Sequence, residues 1–309
     1  MGTGTGYGKV ILFNEHFVGY GIPSIVSAFD RKTTCTVERV AGSGWTLQDE
    51  RPETPGYKAE KLHQQRESID RILSAMGIDL STTGLKIIFG GDLVAASGVG
   101  ASAASCVALA RALSNEFGLN LNDDRINEIA YEGEKAYHGA PSGVDNTAAT
   151  YGGLLWFVKG KPIERISIKR PVEVVIGNTG IVADTSKVVA GVRERKEKFP
   201  EKYARIFREA EEVVYEARSA LENFDLKRVG ELMNKNHELL QAIEVSCKEI
   251  DFLVELSRRE GAFGAKLTGG GCGGNMVALT PGKELQEKVA RAIEREGFET
   301  LRTMIGVRS

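Results

Sequence analysis

Ala95-Ala96-Ser97-Gly98-Val99-Gly100-Ala101-Ser102-Ala103-Ala104-Ser105 is a run of small residues between a strand-like segment, residues 84–89, and an apolar helical segment, residues 106–117. Small residues before a helix let backbone N–H groups approach a ligand, and the helix dipole adds a partial positive charge there. The run therefore indicates either an anion site, most often for phosphate, or a helix that packs closely against a neighbour.

Two known phosphate-binding loops can be tested against these letters. A Walker A loop needs Gly-Lys followed by Ser or Thr, and the Gly-Lys pairs at 8–9, 160–161 and 282–283 all lack that residue. A dinucleotide fingerprint matches loosely over residues 98–103, but a Rossmann turn has its first glycine directly at the strand end, whereas residues 90–97 intervene here. A dinucleotide-dependent oxidoreductase is therefore discounted.

The composition is that of an ordinary globular chain. With 309 residues and 42% hydrophobic content, the chain can bury a large core and is expected to form two lobes. A net charge of −2 argues against nucleic acid as a partner, and no segment approaches the roughly 18 apolar residues of a membrane span. The cysteines are widely spaced, without a C-x-x-C pair, and predict a reducing cytoplasm and no structural zinc: Cys35, Cys106, Cys247 and Cys272.

The first 170 residues are predicted to form a lobe with a β-rich start. Periodicity and turn signals predict strands over 7–13 and 24–40, helices over 58–76 and from Asn122 or Asp123 to about Tyr137, and paired strands over 151–158 and 163–168. Glu134 falls in the last turn of its helix, where a carboxylate opposes the dipole and either a cation or solvent compensates it. Asp145 is expected at a helix N-terminus, where such a residue is most often a cap.

Residues 171–309 show a different pattern. We expect a strand over 172–177, helices over 186–236 broken at Pro200 and near 223–225, a helix over 250–260, strands over 261–268 and 275–280, a helix over 284–296 and a last strand over 300–307. This alternation predicts a ferredoxin-like α+β lobe, with the lobe boundary near residue 170.

Three segments taken together carry a resemblance to a known family. They are Gly8-Lys9 with Glu15-His16, residues 98–104, and Lys266-Leu267-Thr268-Gly269-Gly270-Gly271-Cys272-Gly273-Gly274. In order and spacing they resemble the three motifs of the GHMP small-molecule kinases. Residues 9–16, 133–146 and Thr185 before 189–192 look like the mevalonate kinase branch, and Glu50-Arg51-Pro52 looks like its trypanosomatid members. The resemblance runs essentially from end to end.

The resemblance implies a two-lobed GHMP kinase fold of class α+β, with a ribosomal-S5-like lobe over 1–170 and a ferredoxin-like lobe over 171–309. It also implies ATP-dependent phosphorylation of the 5-hydroxyl of (R)-mevalonate in isoprenoid biosynthesis, with Mg²⁺ as cofactor and a homodimer as the common assembly. A kinase for another small alcohol and a non-catalytic binding protein of the same fold stay open as alternatives, although the presence of Lys9, Glu134 and Asp145 argues against the latter.

The same resemblance assigns roles to individual residues. Ser102 and Glu134 hold Mg²⁺, and Asp145 faces the acceptor hydroxyl with Lys9 beside it, either as general base or as an orienting group. The loop that cradles the ATP phosphates comprises Ala96, Ser97, Gly98, Val99, Gly100, Ala101, Ser102 and Ala103. The substrate-side residues are Glu15, which can hold a hydroxyl, and His16, which can donate to the substrate carboxylate. The third is Thr185, whose hydroxyl is expected near Lys9 and Asp145 and which is compatible with a simultaneous role as helix N-cap.

The chain departs from the family pattern at a few small residues. Asn14 stands where Gly usually precedes Glu-His, Ala101 replaces the first Ser of a Ser-Ser pair, and Ala95 replaces an upstream Pro. Gly270 and Cys272 differ in the third motif. We expect these changes to shift nucleotide affinity or the choice of acceptor alcohol, since none removes a residue that handles a proton or a metal.

Overall fold

The computed structural model of the chain describes residues 1–95, 98–182 and 184–307. The strands are β1 (Gly2–Phe13), β2 (Ser24–Val40), β3 (Gly44–Asp49), β4 (Gly84–Gly91), β5 (Leu154–Phe157), β6 (Glu164–Ile166), β7 (Val172–Asn178), β8 (Gly264–Thr268), β9 (Asn275–Leu279) and β10 (Glu299–Ile305). The helices are α1 (Tyr57–Ala75), α2 (Ala101–Glu116), α3 (Asp123–His138), α4 (Val144–Tyr151), α5 (Thr185–Lys198), α6 (Pro200–Glu222), α7 (Leu226–Ala242), α8 (Lys248–Arg259) and α9 (Lys283–Arg295). Over the described ranges, no helix combines the length and the apolar character needed to cross a membrane.

The predicted elements are found, although some of their ends differ: β1 begins at Gly2 rather than at residue 7, Tyr151 belongs to α4 rather than to a strand, and α2 begins early. Helix α2 begins at Ala101, five residues before the predicted start, so that the second half of the run is helical rather than loop. Alanine is the best helix former, and the preceding Gly100 adopts φ 76°, a left-handed conformation in which glycine carries no steric penalty. The hydroxyl of Ser102 is therefore placed on the first turn of a helix.

The chain divides into two compact units. Unit 1 comprises Met1–Lys9 and Asp30–Gly152, and unit 2 comprises Val10–Phe29 and Gly153–Ser309. The lobe boundary near residue 170 stays a prediction about domains.

In unit 1, a small sheet is covered by three helices. β4 pairs antiparallel with residues 33–40 of β2 and parallel with β3. Helix α1 connects β3 with β4, because neighbouring parallel strands need a crossover connection. The core is formed by apolar side chains of the sheet and of α1, α2 and α3, among them Val37, Ile87, Phe89, Ile69, Ile72, Leu109, Leu113 and Ile129.

The glycines of β1 fix the position of α2. A Cβ added at Gly2, Gly4 or Gly6 would collide with the carbonyl oxygen of Ala112, Ala108 or Ala104, respectively. Two residues of a strand rise about 6.8 Å and four residues of a helix about 6 Å, so the two series keep step over this length. The alternating glycines at the start of the sequence thus let the strand lie directly on the helix that follows the phosphate-loop candidate.

In unit 2, four strands form an antiparallel sheet in the order β10-β7-β9-β8. Numbered along the chain, this is the order 4-1-3-2, which is that of a ferredoxin-like βαββαβ fold. Four helices, α5 to α8, replace the single helix that usually connects the first two strands. The predicted ferredoxin-like arrangement is confirmed, and β8 lies at the end of this strand order.

Candidate functional site

The loop before α2 lies against Lys9. The backbone N–H of Lys9 donates to the carbonyl of Val99 at 3.0 Å, and a Cβ added at Gly100 would lie 2.7 Å from Lys9 Cγ. Gly98 also adopts a positive φ, of 83°. Glycine is therefore needed at 100 both for the backbone conformation and for the close approach of the lysine. The predicted loop residues Ala96 and Ser97 lie outside the described residues.

Lys9 forms an ion pair with Asp145. Its Nζ lies 3.0 Å from Asp145 Oδ1, the lysine side chain being buried at 4% exposed and the aspartate half-buried at 31%. The alternative role of Asp145 as a helix cap is not found, because Gly143 occupies the N-cap position of α4 and Asp145 lies within the first turn. A carboxylate is favoured there by the helix dipole.

Glu134 is the buried carboxylate of the same unit. Its side chain is 1% exposed, and burial raises its pKa to about 8, with the negative charge of Asp145 adding to the rise. A hydrogen bond from the Ser102 hydroxyl and the charge of Lys9 oppose this rise. Within the described residues, Glu134 Oε2 has no hydrogen-bond partner. The structure thus brings Ser102, Glu134, Asp145 and Lys9 into one cluster, which we call the acidic cluster.

Two further side chains lie beside Glu134. His138 Nε2 is 3.8 Å from Oε2, and Cys106 Sγ is 3.9 Å from Oε1. Burial lowers the pKa of His138 and raises the pKa of the Cys106 thiol, so both favour their neutral forms. Neither supplies a full positive charge to the glutamate.

A small basic pocket adjoins the start of α2. Its lining includes Ala101 and Ser102 of the predicted phosphate loop, and no role was predicted for its other members: Arg51, Tyr57, Lys58, Lys61, Gln65, Ser105 and Tyr137. Arg51 is fixed there, because its Nε donates to Asp49 Oδ1 at 2.9 Å and its guanidinium stacks on the Phe89 ring. A buried arginine with a carboxylate partner is typical of a site prepared for a polar ligand or of a structural ion pair.

In unit 2, Glu15 forms an ion pair with Lys266. The lysine is completely buried and the glutamate side chain is 2% exposed. Lys266 Nζ also donates to the carbonyl of Leu267, and burial lowers the pKa of the lysine. Lys266 belongs to the third motif, but no role was predicted for it. A lysine in a strand of small and apolar residues is the signal that could have found it, since a buried lysine requires a partner.

His16 and Thr185 both meet Gly270. His16 Nε2 lies 3.0 Å from the Gly270 carbonyl, which can only accept, so this nitrogen carries the proton. Burial lowers the pKa of His16 to about 4, and the neutral ring then has an acceptor at Nδ1. In this tautomer Nδ1 can accept a hydrogen bond, for example from a hydroxyl, but it cannot donate to a carboxylate, whereas His16 was expected to donate.

Thr185 begins α5 but does not cap it. The N-cap is Asp184, whose carboxylate accepts from the backbone N–H groups of Ser186 and Lys187. A Cβ added at Gly270 would collide with Thr185 Oγ1. The expected capping role of Thr185 is therefore wrong, and the glycine at 270 is what lets the threonine hydroxyl approach the third motif.

Thr268 joins the first and third motifs within unit 2. Its hydroxyl donates to the carbonyl of Ile11 at 2.9 Å and accepts from the Ile11 N–H at 3.2 Å. Together with the Glu15–Lys266 and His16–Gly270 contacts, these two bonds join Lys266, Thr268 and Gly270, alternate residues of the third motif, to the chain around Glu15. We call Glu15, His16, Thr185, Lys266 and Gly270 the acceptor cluster.

Comparison with known proteins gives consistent matches. Residues 65–153 match the GHMP kinases N terminal domain, and residues 217–300 match the family GHMP kinases C terminal. A mevalonate kinase of Pyrococcus furiosus is 35% identical, over 96% of this chain and 94% of its own length.

Solved structures agree with the sequence matches. The L. major mevalonate kinase, solved in complex with R-mevalonate, superposes with a TM-score of 0.95 at 41% identity, covering 99% of this chain and 96% of its own. The Methanococcus jannaschii mevalonate kinase gives a TM-score of 0.81 at 25% identity and covers 98% of both chains.

Proposed function

This chain belongs to the GHMP kinase family, among its mevalonate kinases, and we propose that it transfers the γ-phosphoryl group of ATP to the 5-hydroxyl of (R)-mevalonate. The product, 5-phosphomevalonate, serves isoprenoid biosynthesis. The fold class expected from the sequence is confirmed by the same matches, and the match to L. major agrees with the resemblance to the trypanosomatid enzymes.

The Lys9–Asp145 ion pair beside the glycine loop is the observation that carries the proposal. In phosphoryl transfer the acceptor oxygen attacks the γ-phosphorus while the bond to the β,γ-bridging oxygen breaks, so catalysis consists mainly of positioning and of charge stabilisation. The 3.0 Å pair holds a carboxylate in a fixed orientation and presents an ammonium next to Gly100. These are the two groups that the reaction requires near the transferred phosphoryl group.

We propose that Asp145 receives the hydrogen bond of the acceptor hydroxyl and takes its proton as the new O–P bond forms. Lys9 fixes the orientation of the carboxylate through its ion pair and stabilises the negative charge of the phosphoryl oxygens. The backbone N–H groups at the start of α2, together with its dipole, bind the remaining phosphates. A positioned base contributes about 10²–10⁴-fold to the rate.

Glu134 and Ser102 fit a magnesium ion. Glu134 is a buried carboxylate whose Oε2 lacks a hydrogen-bond partner among the described residues, and Ser102 adds a hydroxyl oxygen beside it. Mg²⁺ prefers oxygen ligands and takes only one or two from a protein, with phosphate and water supplying the others. When bound, the ion neutralises charge on the β- and γ-phosphates.

The acceptor cluster is proposed to bind mevalonate. Glu15, held by Lys266, is a fixed acceptor for a substrate hydroxyl, and the Nδ1 atom of His16 is a second acceptor. The Thr185 hydroxyl can donate to an oxygen of the substrate.

We infer a reducing compartment, the cytoplasm, because the four cysteines are free thiols. A homodimer, proposed from family membership, is tested by light scattering on a sizing column.

A coupled ADP-release assay with a panel of alcohols tests the function. We expect turnover with mevalonate and at least about 10³-fold lower kcat/KM with phosphomevalonate, homoserine and galactose, because a site that hydrogen-bonds its substrate strongly rejects poorly matched analogues. Preferred turnover of another alcohol would overturn the assignment of the substrate, and the absence of turnover with all of them would overturn the kinase activity.

A further inference from the structure

Asn14 adopts a backbone conformation that favours glycine. It follows β1 directly, precedes Glu15, and has φ 69° while being completely buried. Asparagine tolerates the left-handed region better than most residues, yet a buried amide must also find hydrogen-bond partners. The side chain of Asn14 therefore requires an explanation from its surroundings.

A reciprocal pair of amides provides it. Asn236, also completely buried, donates from Nδ2 to Asn14 Oδ1 at 2.8 Å and accepts the Asn14 backbone N–H at Oδ1, at 3.2 Å. Asn14 Nδ2 donates in turn to the carbonyls of Pro23 at 2.9 Å and Ala210 at 3.0 Å. Both hydrogens and the oxygen of the Asn14 amide are thus paired, and the turn before Glu15 is joined to α6 and α7.

The next residue of α7 supports the other half of the acceptor cluster. His237, 2% exposed, accepts the backbone N–H of Leu267 at Nδ1, at 3.3 Å. Its Nε2 must then carry the proton, which it donates to Asp251 Oδ1 at 3.1 Å. Leu267 follows Lys266, and its carbonyl accepts from the lysine ammonium. The imidazole therefore fixes the strand segment from which Lys266 reaches Glu15.

We propose that the adjacent residues Asn236 and His237 are positioning residues for acceptor binding. Asn236 fixes the turn that presents Glu15, and His237 fixes the β8 segment that presents Lys266. One turn of one helix thereby sets the distance between the two members of a buried ion pair. This inference rests on the proposed function, because the acceptor cluster is taken to bind mevalonate.

The KM values for the two substrates test the proposal. Asn236→Leu removes both amide bonds to Asn14 while keeping a similar volume. Because misplacing a binding group by about 1 Å can cost about 10²-fold in activity, we expect the KM for mevalonate to rise at least about 10-fold with the KM for ATP within about twofold. His237→Gln, which alters the tether to Leu267, is expected to change the same KM in the same direction.

A double variant separates positioning from general damage. In Asn14→Gly with Asn236→Leu, glycine adopts φ 69° without strain and no side-chain amide of residue 14 is left unpaired, so the KM for mevalonate should recover in part. The recovery is partial because the backbone N–H of residue 14 loses the Asn236 Oδ1 acceptor in both variants. If Asn236→Leu does not fold, Asn14→Gly alone carries the test, because it removes the Asn14 Oδ1 acceptor of Asn236 Nδ2 and leaves only the bond from the backbone N–H of residue 14. A KM for mevalonate within twofold of that of the unmodified enzyme would then overturn the positioning role.

Gln286→Leu is the matched control. Gln286 is equally buried in unit 2 and donates to the carbonyls of Val174 and Thr303, at 2.9 and 2.8 Å. It should lower the melting temperature without changing the KM for mevalonate. The positioning role is overturned if Asn236→Leu leaves that KM within twofold, or changes both KM values equally, or if the double variant shows no recovery. Failure of the unmodified enzyme to phosphorylate mevalonate would instead count against the proposed function.

Discussion

Glu15 and Glu134 are buried glutamates of different units, and their charges are compensated differently. Glu15 in unit 2 is paired with a buried lysine ammonium, Lys266, within the protein. Glu134 in unit 1 has hydrogen-bond support from the Ser102 hydroxyl, and its pKa is raised to about 8 by burial and by the charge of Asp145. A carboxylate that forms an ion pair within the protein is held in one position by folding. A buried carboxylate with a raised pKa instead favours binding of a proton or of a cation from solution.

This difference separates a prepared binding surface from a reactive one. In the acceptor cluster the chain supplies both charges of the ion pair, so its geometry is set by folding. In the acidic cluster two carboxylates, those of Glu134 and Asp145, share one small region with a single ammonium, that of Lys9. Groups with perturbed protonation gather at functional sites because such arrangements are costly to maintain elsewhere.

The largest effect is expected at Asp145, the acidic-cluster residue that we assign to the acceptor hydroxyl. Asp145→Asn keeps the size of the side chain but removes its charge and basicity, so turnover should fall by about 10²–10⁴-fold. Because Gly143, not Asp145, is the N-cap of α4 and the Asp145 side chain is 31% exposed, the loss of stability should be smaller than that expected for breaking the fully buried Glu15–Lys266 pair. Steady-state kinetics and a thermal melt on the same preparation check both points.

Two results at Asp145 would contradict this view of the acidic cluster. Near-normal turnover in a stable protein would remove Asp145 from the reaction. The control is Glu38→Gln, which changes a carboxylate on β2 outside the acidic cluster. An equal loss of turnover in this variant would show that the loss is not specific to the acidic cluster.

The second prediction concerns stability in the acceptor cluster. Glu15→Gln leaves the Lys266 ammonium buried without its carboxylate, and removing one partner of a buried pair costs roughly 3–5 kcal/mol of unfolding free energy. The double variant Glu15→Gln with Lys266→Met should recover most of this loss, since it removes the unpaired charge. Urea unfolding of the three proteins measures the difference, and an unchanged midpoint for Glu15→Gln would mean that the pair is not a fixed part of the fold.

The sequence predicted the elements well but not how their side chains are paired. Local propensity and periodicity predict the helix at the small-residue run, the helices broken at Pro200 and the closing β-α-β pattern. The structure contains all of these elements. The predicted start of α2 was five residues too late, because its alanines and serines suit either a loop or a helix. The ion pair of Lys266 with Glu15 joins residues 251 positions apart, a relation that no local pattern contains.

The proposed site shows the same limit. Family motifs identified Lys9, Glu134 and Asp145, and their proximity is found in unit 1. Capping was harder to predict, since Asp184 and Thr185 are adjacent and both residue types cap helices well. The tautomer of His16 depends on the carbonyl of Gly270, which only the folded chain brings to it.

The third prediction concerns Glu134→Gln, the same change at the other buried glutamate. Here we expect the unfolding free energy to rise rather than to fall. The pKa of Glu134 is raised from 4.5 to about 8 in the folded protein, so the folded state binds a proton that the unfolded state has released between these values. This group therefore makes stability fall as pH rises from about 4.5 to about 8. Glu134→Gln should remove that slope.

At about 1.4 kcal/mol per pKa unit, the rise from 4.5 to about 8 corresponds to at most about 5 kcal/mol. Because relaxation and water reduce the cost of a buried charge, we expect roughly half of this, about 2 kcal/mol, as the gain at pH 8. Chemical unfolding from pH 5 to 8 in the presence of a chelator measures it, and the same variant should lose the Mg²⁺ dependence of turnover. If Glu134→Gln instead lowers the unfolding free energy at pH 8 in the presence of the chelator, as Glu15→Gln is expected to do, the two glutamates do not differ in the way that their environments indicate.

The smallest effect is expected at the edge of the acceptor cluster, where Thr185 approaches Gly270. Thr185→Val keeps the shape of the side chain and removes the hydroxyl. Because Asp184 supplies the cap of α5, unfolding free energy should change by less than about 0.5 kcal/mol. If the hydroxyl donates to mevalonate, the loss of one hydrogen bond, about 0.5–1.5 kcal/mol, should reduce kcat/KM for mevalonate about 2–10-fold.

Asp184→Ala is the complementary variant, because it removes the cap and keeps the hydroxyl. It should cost about 1 kcal/mol of unfolding free energy and leave kcat/KM for mevalonate close to that of the unmodified enzyme. The two neighbours would then divide structure and binding between them, as the two glutamates do on a larger scale. A Thr185→Val protein that loses stability but keeps its kcat/KM would reverse this division and return Thr185 to a purely structural role.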